Sequence, residues 1–487
     1  MIQQFIFLFV VFIIGFCVLL FFKDRILQAY IFLLAFPMGL IVWTLIILVL
    51  EIFGIAPVKP LIWCLDGLVL ISMVAFHVRK KNYSSIGIKS VGIVLILYIL
   101  LALGFITFNY SYLSNDSWLL IIGGKNLVSS GGLPEVLLTL KGIVSYIILS
   151  SSYIFGFSYP NALFPILSLS LILTFFYGLY TASGYKKIQF NTIFIFNSLA
   201  VIFLVSGYFV FFNIFYVISN SLAAAFLFFS IFGLYQRLQT GVWFWTLFSC
   251  LNLVGFSLSR LETNIFVLPA IIIILSRKEI PEREKLLYVS PIVIICLLWF
   301  FRLANLLSNY NFREAKSGYN YKIITVLIAV YLFVFIYSMI SRFRPFKSMN
   351  PYLPYLMIVV LTASWVYLLF TKGLFVRGSI IMIMKKYGDL VINILKDGSW
   401  AIIWIGLIFL MVIAVLLKKI KFESVFLYYI ISFFLLFNTI NLYRFGWRRG
   451  WGDSGNRMLL HVVFIIAFYI FLKFAYFLFD REQLNES

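Results

Sequence analysis

Asp116 stands beside Trp118, just past a long apolar run that occupies residues 91–108. A carboxylate in this place can act as a general base on a hydroxyl group, or it can bind a divalent cation that activates the hydroxyl. Tryptophan is typical of the headgroup level of a membrane. In the structural alternative, Asn115 or Asp116 caps a helix that begins at Ser117.

A second charged site lies between two short apolar runs. Within residues 255–262, Arg260 is followed two positions later by Glu262. Charges so close to hydrocarbon are costly and are often functional. A guanidinium group matches phosphate oxygens, so Arg260 is a candidate for holding the phosphate of a lipid carrier. The alternative is an Arg260–Glu262 pair that only caps helix ends.

The last polar loop, residues 443–457, is rich in arginine, tryptophan and glycine. Arginine binds phosphate, aromatic faces stack on sugar rings, and glycine allows close approach of the backbone. Arg457 and His461 are four residues apart and would share one helix face. A solvated basic loop is the alternative. The candidate phosphate ligands here are Arg444, Arg448, Arg449 and Arg457.

Further residues are accessory candidates for the same outer site. Acidic and imidazole groups could supply a second acid or a ligand for a divalent metal ion, and basic groups could meet phosphate. No Asp-X-Asp pair follows Asp116, so no particular metal ion is indicated. With only two histidines, a histidine-rich metal site is excluded. The accessory candidates are Glu262, His461, Asp453, Trp118, Glu135, Lys372 and Arg377.

The elements that must position these residues are membrane helices. The chain has 487 residues, of which 63% are hydrophobic and 11% are charged. Apolar runs of about 17–25 residues recur along it, which predicts an all-α polytopic membrane protein with about thirteen to fifteen transmembrane helices. One of them is predicted as a continuous span over residues 208–234. The glycines at 123–124 and residues 129–134 are expected to break the chain into short helices and turns.

The basic loops predict the orientation of the chain. They fall on one face if residues 137–157 form an interfacial helix that does not cross the membrane, which places the N-terminus outside and the C-terminus inside. Residues 5–22 are then a retained span, since the chain start lacks the positive region of a signal peptide. The net charge is +21. Basic residues beyond those needed for insertion suggest an anionic ligand on the outer face, and attraction to lipid headgroups is the alternative.

Several of these stretches together resemble one enzyme family. Residues 115–118 (Asn-Asp-Ser-Trp), 123–126 and 131–134 (Gly-Gly-Leu-Pro) resemble the loop after the first conserved span of the GT-C superfamily of integral-membrane glycosyltransferases. In that family an acidic residue opens the loop, and a membrane-parallel helix ending near Phe-Gly follows. Here residues 145–156 end in Tyr-Ile-Phe-Gly. Residues 255–262 are similar to a later family pattern of a basic residue and an acid between short apolar runs.

The resemblance implies a division of the chain into three parts. Residues 1–87 would be N-terminal accessory spans, and residues 88–300 would be a GT-C-like module whose outer catalytic loop covers 109–160. Residues 301–487 would be variable C-terminal spans. The outer loops of this last part are expected at 303–322, 372–400 and 443–457.

The resemblance also implies a function. A sugar would move from a polyprenyl-phosphate carrier to a glycan, lipid or protein acceptor on the outer face, with Asp116 as the base and the outer arginines holding the phosphate. The expected location is the cytoplasmic membrane of a bacterium or archaeon, with membrane lipids and no nucleic acid as partners. The alternatives are a polysaccharide polymerase or ligase that uses lipid-pyrophosphate glycans, a transporter or flippase of lipid-linked glycans, and a non-catalytic scaffold.

Overall fold

The structure of the chain is a computed structural model, and its described part is helical throughout apart from short connections and one isolated bridge. The described residues are 1–80, 88–108, 111–129, 142–182, 190–309, 321–371, 379–397, 400, 403–416, 425–444 and 457–484.

The helices follow one another along the chain with short connections. They are α1 (Ile2–Leu20), α2 (Gln28–Leu33), α3 (Ala35–Ile52), α4 (Lys59–Lys80), α5 (Ile88–Phe108), α6 (Asn115–Ser129), α7 (Ile143–Phe155), α8 (Leu163–Ala182), α9 (Phe190–Val205), α10 (Tyr208–Phe215), α11 (Ser219–Thr240), α12 (Phe244–Ser257), α13 (Thr263–Phe266), α14 (Leu268–Ser276), α15 (Glu282–Asn309), α16 (Tyr321–Ile340), α17 (Arg344–Lys347), α18 (Leu353–Leu369), α19 (Ser379–Ile392), α20 (Ile403–Leu416), α21 (Val425–Arg444) and α22 (Leu460–Leu484). A 3-10 turn at Asn350–Tyr352 precedes α18, and a π-turn at Asn393–Asp397 follows α19.

The predicted class, an all-α polytopic membrane protein, is confirmed. Among the described residues, nine helices are long and apolar enough to cross a membrane, or ten if α9 and α10 form one span bent by 82°. Among the same residues, six further apolar stretches are 10–17 residues long, and two of them are parts of the longer helices α5 and α22. Many of the remaining predicted spans correspond to these stretches.

The chain divides into two compact units. Unit 1 comprises Met1–Leu171, Ile214–Asn264 and Glu282–Ile340, and unit 2 comprises Ile172–Asn213, Ile265–Pro281 and Ser341–Ser487. In unit 1, α1 packs on α3, α4 and α7, α6 packs on α7, and α11 packs on α12. In unit 2, α14, α18 and α21 pack on one another, and α22 packs on α20 and α21. The three-part division expected from the sequence stays a prediction.

Glycines let α1 and α3 approach closely in unit 1. A Cβ atom added to Gly15 would lie 1.8 Å from the carbonyl oxygen of Ala35, and one added to Gly39 would lie 1.8 Å from that of Val11. Neither glycine could be replaced without moving a backbone. Small residues at helix contacts are the usual means of bringing membrane helices together.

The predicted continuous span over residues 208–234 is wrong. The chain leaves helical geometry between α10 and α11, and it forms an isolated bridge there between Tyr112 and Tyr216. Because these backbone groups bond to another segment, they cannot also bond within a helix. Hydropathy does not detect this break, since the residues around it are apolar.

Candidate functional site

The helix that carries Asp116, α6, is capped by Ser114. The backbone N–H of Ser117 donates to Ser114 Oγ over 3.3 Å, and the N–H of Ser114 donates to Ser117 Oγ over 3.1 Å. This reciprocal pair satisfies two backbone donors, in the manner of a capping box. The expectation that Asn115 or Asp116 caps a helix beginning at Ser117 is therefore wrong, because α6 already begins at Asn115 and Ser114 supplies the capping oxygen.

Asp116 lies in the first turn of α6 and is half-buried. A carboxylate in this turn is stabilised by the positive end of the helix dipole. Trp118, two residues further on, has 46% of its surface exposed, as a tryptophan at a membrane surface would. The acid is thus held at a helix start that another residue already caps.

The glycines of α6 serve packing and do not break the chain. Gly123 and Gly124 lie inside α6, so the expectation of a turn at these positions is wrong. A Cβ atom on Gly123 would lie 2.3 Å from the ring of Tyr146, and one on Gly124 would lie 2.7 Å from the backbone nitrogen of Ser150. The two glycines therefore let α6 lie directly against α7. Residues 130–134, where further turns were expected, lie outside the described residues.

The helix expected within residues 137–157 is present as α7, and it ends at Phe-Gly as the resemblance implies. Its 13 residues are too short to span a membrane, and nearly all of them are buried within unit 1. Gly156 follows in a left-handed conformation with φ of 80°, which glycine adopts without strain. Its N–H donates to the carbonyl oxygen of Ser152 over 2.9 Å.

The start of α7 is fixed to the loop that holds Arg260. The N–H of Gly142 donates to the carbonyl oxygen of Ser259 over 2.9 Å, and the N–H of Val144 donates to that of Leu258 over 3.2 Å. A Cβ atom on Gly142 would lie 1.9 Å from the Leu258 oxygen. Only glycine allows this close approach. The loop of Arg260 and the helix pair α6–α7 are therefore one assembly.

The segment before α6 is fixed to the segment before α11. The N–H of Tyr112 donates to the carbonyl oxygen of Phe215 over 3.1 Å, and the N–H of Val217 donates to that of Tyr112 over 3.3 Å. The hydroxyl of Tyr216 donates to Ser114 Oγ over 2.8 Å. The serine that caps the helix of Asp116 is thus bonded to the chain just ahead of α11.

Arg260 is buried in unit 1, where its side chain links the loop after α12 to the start of α11. It is only 5% exposed. Its Nε donates to Glu262 Oε1 over 2.5 Å, and its Nη1 donates to Ser219 Oγ over 3.0 Å. Nη2 bonds no residue in the described ranges. The ion pair that the sequence left open is present, and it is buried between α11 and the loop after α12.

Several buried polar atoms beside this pair have no hydrogen-bond partner among the described residues. They are Oε2 of Glu262, both amide atoms of Asn220, and Oδ1 of Asn264. Asn220 is fully buried and directly follows Ser219, which accepts from Arg260. Each unpaired buried polar atom costs about 1–3 kcal/mol, so such a group calls for an explanation. A bound polar ligand or water would satisfy these atoms.

The arrangement can bind an anion that also carries hydroxyl groups. Ser219 begins α11, and the N-cap residue Ile218 makes no side-chain capping bond. The first N–H groups of a helix carry partial positive charge and commonly bind phosphate. Arg260 adds a guanidinium group, while the free oxygen of Glu262 and the amide of Asn220 suit hydroxyl groups. We name these four groups (Ser219, Asn220, Arg260 and Glu262) the Arg260 cluster.

The remaining predicted site residues lie in unit 2 or outside the described residues. Arg457 and His461 lie in unit 2, where His461 is fully buried in the first turn of α22. Arg444 is the last residue of α21, but its side chain lies outside what the structure describes. The other predicted residues lie wholly outside the described residues; they are Arg448, Arg449, Asp453, Glu135, Lys372 and Arg377. Their proposed roles stay predictions. Over the described ranges, no group of three metal-ligating side chains is present.

Sequence reasoning missed three contributors to the site. Ser114 was detectable as a serine three residues before another hydroxyl residue at a helix start. Ser219 and Asn220 were missed, because residues 208–234 were expected to form one uninterrupted helix. The residues Ser-Asn-Ser at 219–221 were the available signal, since this polar cluster is typical of a helix start.

Among known proteins, no family model, no curated protein and no solved structure matches this chain. What the protein does must therefore be inferred from the side chains that unit 1 brings together.

Proposed function

We propose that the chain is a membrane glycosyltransferase that moves a sugar from a polyprenyl-phosphate carrier to an acceptor hydroxyl. The observation that carries the proposal is the Arg260 cluster, where a buried guanidinium group and the start of α11 stand beside groups of Glu262 and Asn220 that have no hydrogen-bond partner among the described residues. The first groups suit a phosphate and the second suit sugar hydroxyls. Together they match the two halves of a sugar phosphate.

The carrier phosphate would be held by cations and dipoles that are in place before the substrate arrives. Nη2 of Arg260 and the first N–H groups of α11 would face the phosphate oxygens. Because Nε of Arg260 is bonded to Glu262 and Nη1 is bonded to Ser219, the guanidinium plane is fixed. Fixed donors that meet the charge developing on a leaving group supply the larger part of such catalysis.

Asp116 would act as the general base. It would take the proton from the acceptor hydroxyl while the hydroxyl oxygen forms a bond to the anomeric carbon. The bond from that carbon to the phosphate oxygen breaks, and the carrier phosphate leaves with the electron pair. A positioned base contributes on the order of 10²–10⁴-fold to such a rate. Ser114 caps α6, the helix that carries Asp116 in its first turn.

The experiment is a transfer assay with purified protein in lipid vesicles. Radiolabelled polyprenyl-phosphate sugars are added together with membranes of the expressing cells as the source of acceptor, and the released polyprenyl phosphate is measured. The proposal expects release of carrier phosphate in step with labelled product, and an Arg260→Gln variant that loses most of it. Addition of one sugar supports a transferase, whereas long product chains support the polymerase alternative.

The matched control for Arg260→Gln is Arg283→Gln. Arg283 is an exposed residue of α15 in the same unit, so this variant loses the same charge without changing the Arg260 cluster. Equal activity of the two variants, or no carrier release from any donor, would contradict the proposal.

A further inference from the structure

Unit 2 contains a cleft that is lined by its own residues. It has a volume of about 340 Å³, within the usual range for small-molecule sites, and it is lined by parts of α14, α18 and α21 and by the loop after α14. Three helices begin or end here: α14 ends at Ser276, α18 begins at Leu353 and α21 begins at Val425. The cleft thus lies where membrane helices terminate.

One side of the cleft is basic. Arg277 and Lys278 follow the last residue of α14, and both line the cleft together with one acid, Glu279. The charged side chains therefore carry a net charge of +1. The starts of α18 and α21 add partial positive charge, against the partial negative charge at the end of the shorter α14. This side of the cleft attracts an anion.

The other side of the cleft is apolar and aromatic. Ile273 and Ile358 line it, as do Tyr352 and Tyr355, which are 69% and 52% exposed. Exposed tyrosines at helix ends are typical of the membrane–water interface. The buried side chain of Tyr428 also lines the cleft. An amphiphilic ligand with a polar head would meet all three kinds of surface.

We propose that this cleft binds an anionic phospholipid, with the phosphate at Arg277 and Lys278 and an acyl chain along Ile273 and Ile358. Cations at the end of a membrane helix suit the phosphate, while the isoleucines suit hydrocarbon. A neutral phospholipid lacks the net negative charge that the basic side favours. A free phosphate lacks the chain that the apolar side favours. The proposal is independent of the glycosyltransferase proposal, because it concerns other residues in the other unit.

The test uses the purified full chain, stripped of lipid in detergent. Binding of phosphatidylglycerol, phosphatidylcholine and glycerol phosphate is measured by native mass spectrometry and by the shift in Tm. We expect tight retention of phosphatidylglycerol only. In the double variant Arg277→Gln/Lys278→Gln, its affinity should fall on the order of tenfold or more, since each basic residue near a membrane surface contributes measurably to anionic-lipid binding.

The matched control is Arg342→Gln/Lys347→Gln. These two residues are exposed in the same unit and do not line the cleft, so the same charge is lost elsewhere. A second variant, Ile358→Asp, places a charge on the apolar side and should weaken phosphatidylglycerol binding as well. Three results would overturn the proposal: equal loss of affinity in the control, equal binding of phosphatidylcholine, and stabilisation by glycerol phosphate as large as that by phosphatidylglycerol.

Discussion

At the scale of single residues, the site depends on which buried polar groups lack a partner. Arg260 is paired, so its burial does not by itself indicate a ligand. Asn220 is different, because it is fully buried and neither amide atom forms a hydrogen bond with a described residue. Such a group lowers the stability of the fold, and proteins commonly keep a destabilising group of this kind where it serves binding. Removal of the Asn220 amide should therefore raise the stability of the fold and weaken the binding of the donor.

Asn220→Leu tests this opposition. Leucine is close to asparagine in shape and removes the unpaired amide, so the free energy of unfolding should stay equal or rise by about 1–3 kcal/mol. Donor binding should weaken, because the amide no longer meets the sugar. The measurements are Tm and the affinity for polyprenyl-phosphate sugar.

The control for this substitution is Asn252→Leu in α12. Asn252 is also buried, and its Oδ1 has no partner among the described residues, but its Nδ2 donates to the carbonyl oxygen of Phe248 over 2.8 Å, within its own helix. This variant should leave donor affinity unchanged. A fall in Tm for Asn220→Leu with unchanged donor affinity would show that the amide is structural.

At the scale of elements, apolar runs were sufficient to predict most helices, and local polar chemistry decided where they begin and end. The helix ending at Phe155-Gly156 was predicted correctly, because glycine after an apolar run is a strong stop signal. Gly123 and Gly124 were assigned to a turn, although they lie in α6. Their function depends on Tyr146 of α7, a partner that no local pattern reveals.

Gly124→Ala should separate α6 from α7. The added Cβ atom would lie 2.7 Å from the backbone of both Tyr146 and Ser150, and the backbone cannot yield as a flexible side chain would. Overpacking of this kind costs about 1–3 kcal/mol, and it would also shift Asp116 at the start of α6. We expect a lower Tm and a lower transfer rate.

Gly104→Ala provides the matched comparison. Gly104 lies in α5, and a Cβ atom there meets no atom within 4 Å. Because alanine favours helix over glycine, this variant should be neutral or slightly more stable. If the two alanine variants have the same Tm, the close contact of α6 with α7 is not what fixes the start of α6.

At the scale of the whole molecule, composition alone predicted the class, and the class is confirmed. In a chain that is 63% hydrophobic, a water-soluble fold could not bury most of the apolar side chains. The arrangement of the site was not predictable in this way, because residues 112, 217, 219 and 260 meet only through backbone and side-chain bonds between distant segments. The orientation of the chain rests on the loop charges and stays a prediction.

Cysteine labelling tests the orientation. Asn115 and Lys278 are both exposed, and the loop charges place the first outside and the second inside. In intact cells, an impermeant maleimide should label Asn115→Cys and should label Lys278→Cys only after the membrane is opened. Cys64, the native cysteine that is exposed, is replaced by alanine in both variants. Labelling of Lys278→Cys in intact cells would contradict the predicted orientation.

The most direct test of the central claim is the transfer rate of Asp116→Asn measured against Asp24→Asn. Both changes remove one carboxylate from unit 1, and Asp24 is exposed in the connection between α1 and α2. The account predicts that Asp116→Asn keeps its Tm and its affinity for the polyprenyl-phosphate sugar but loses transfer by on the order of 10²-fold or more, while Asp24→Asn transfers normally. Full transfer by Asp116→Asn would contradict the assignment of Asp116 as the base.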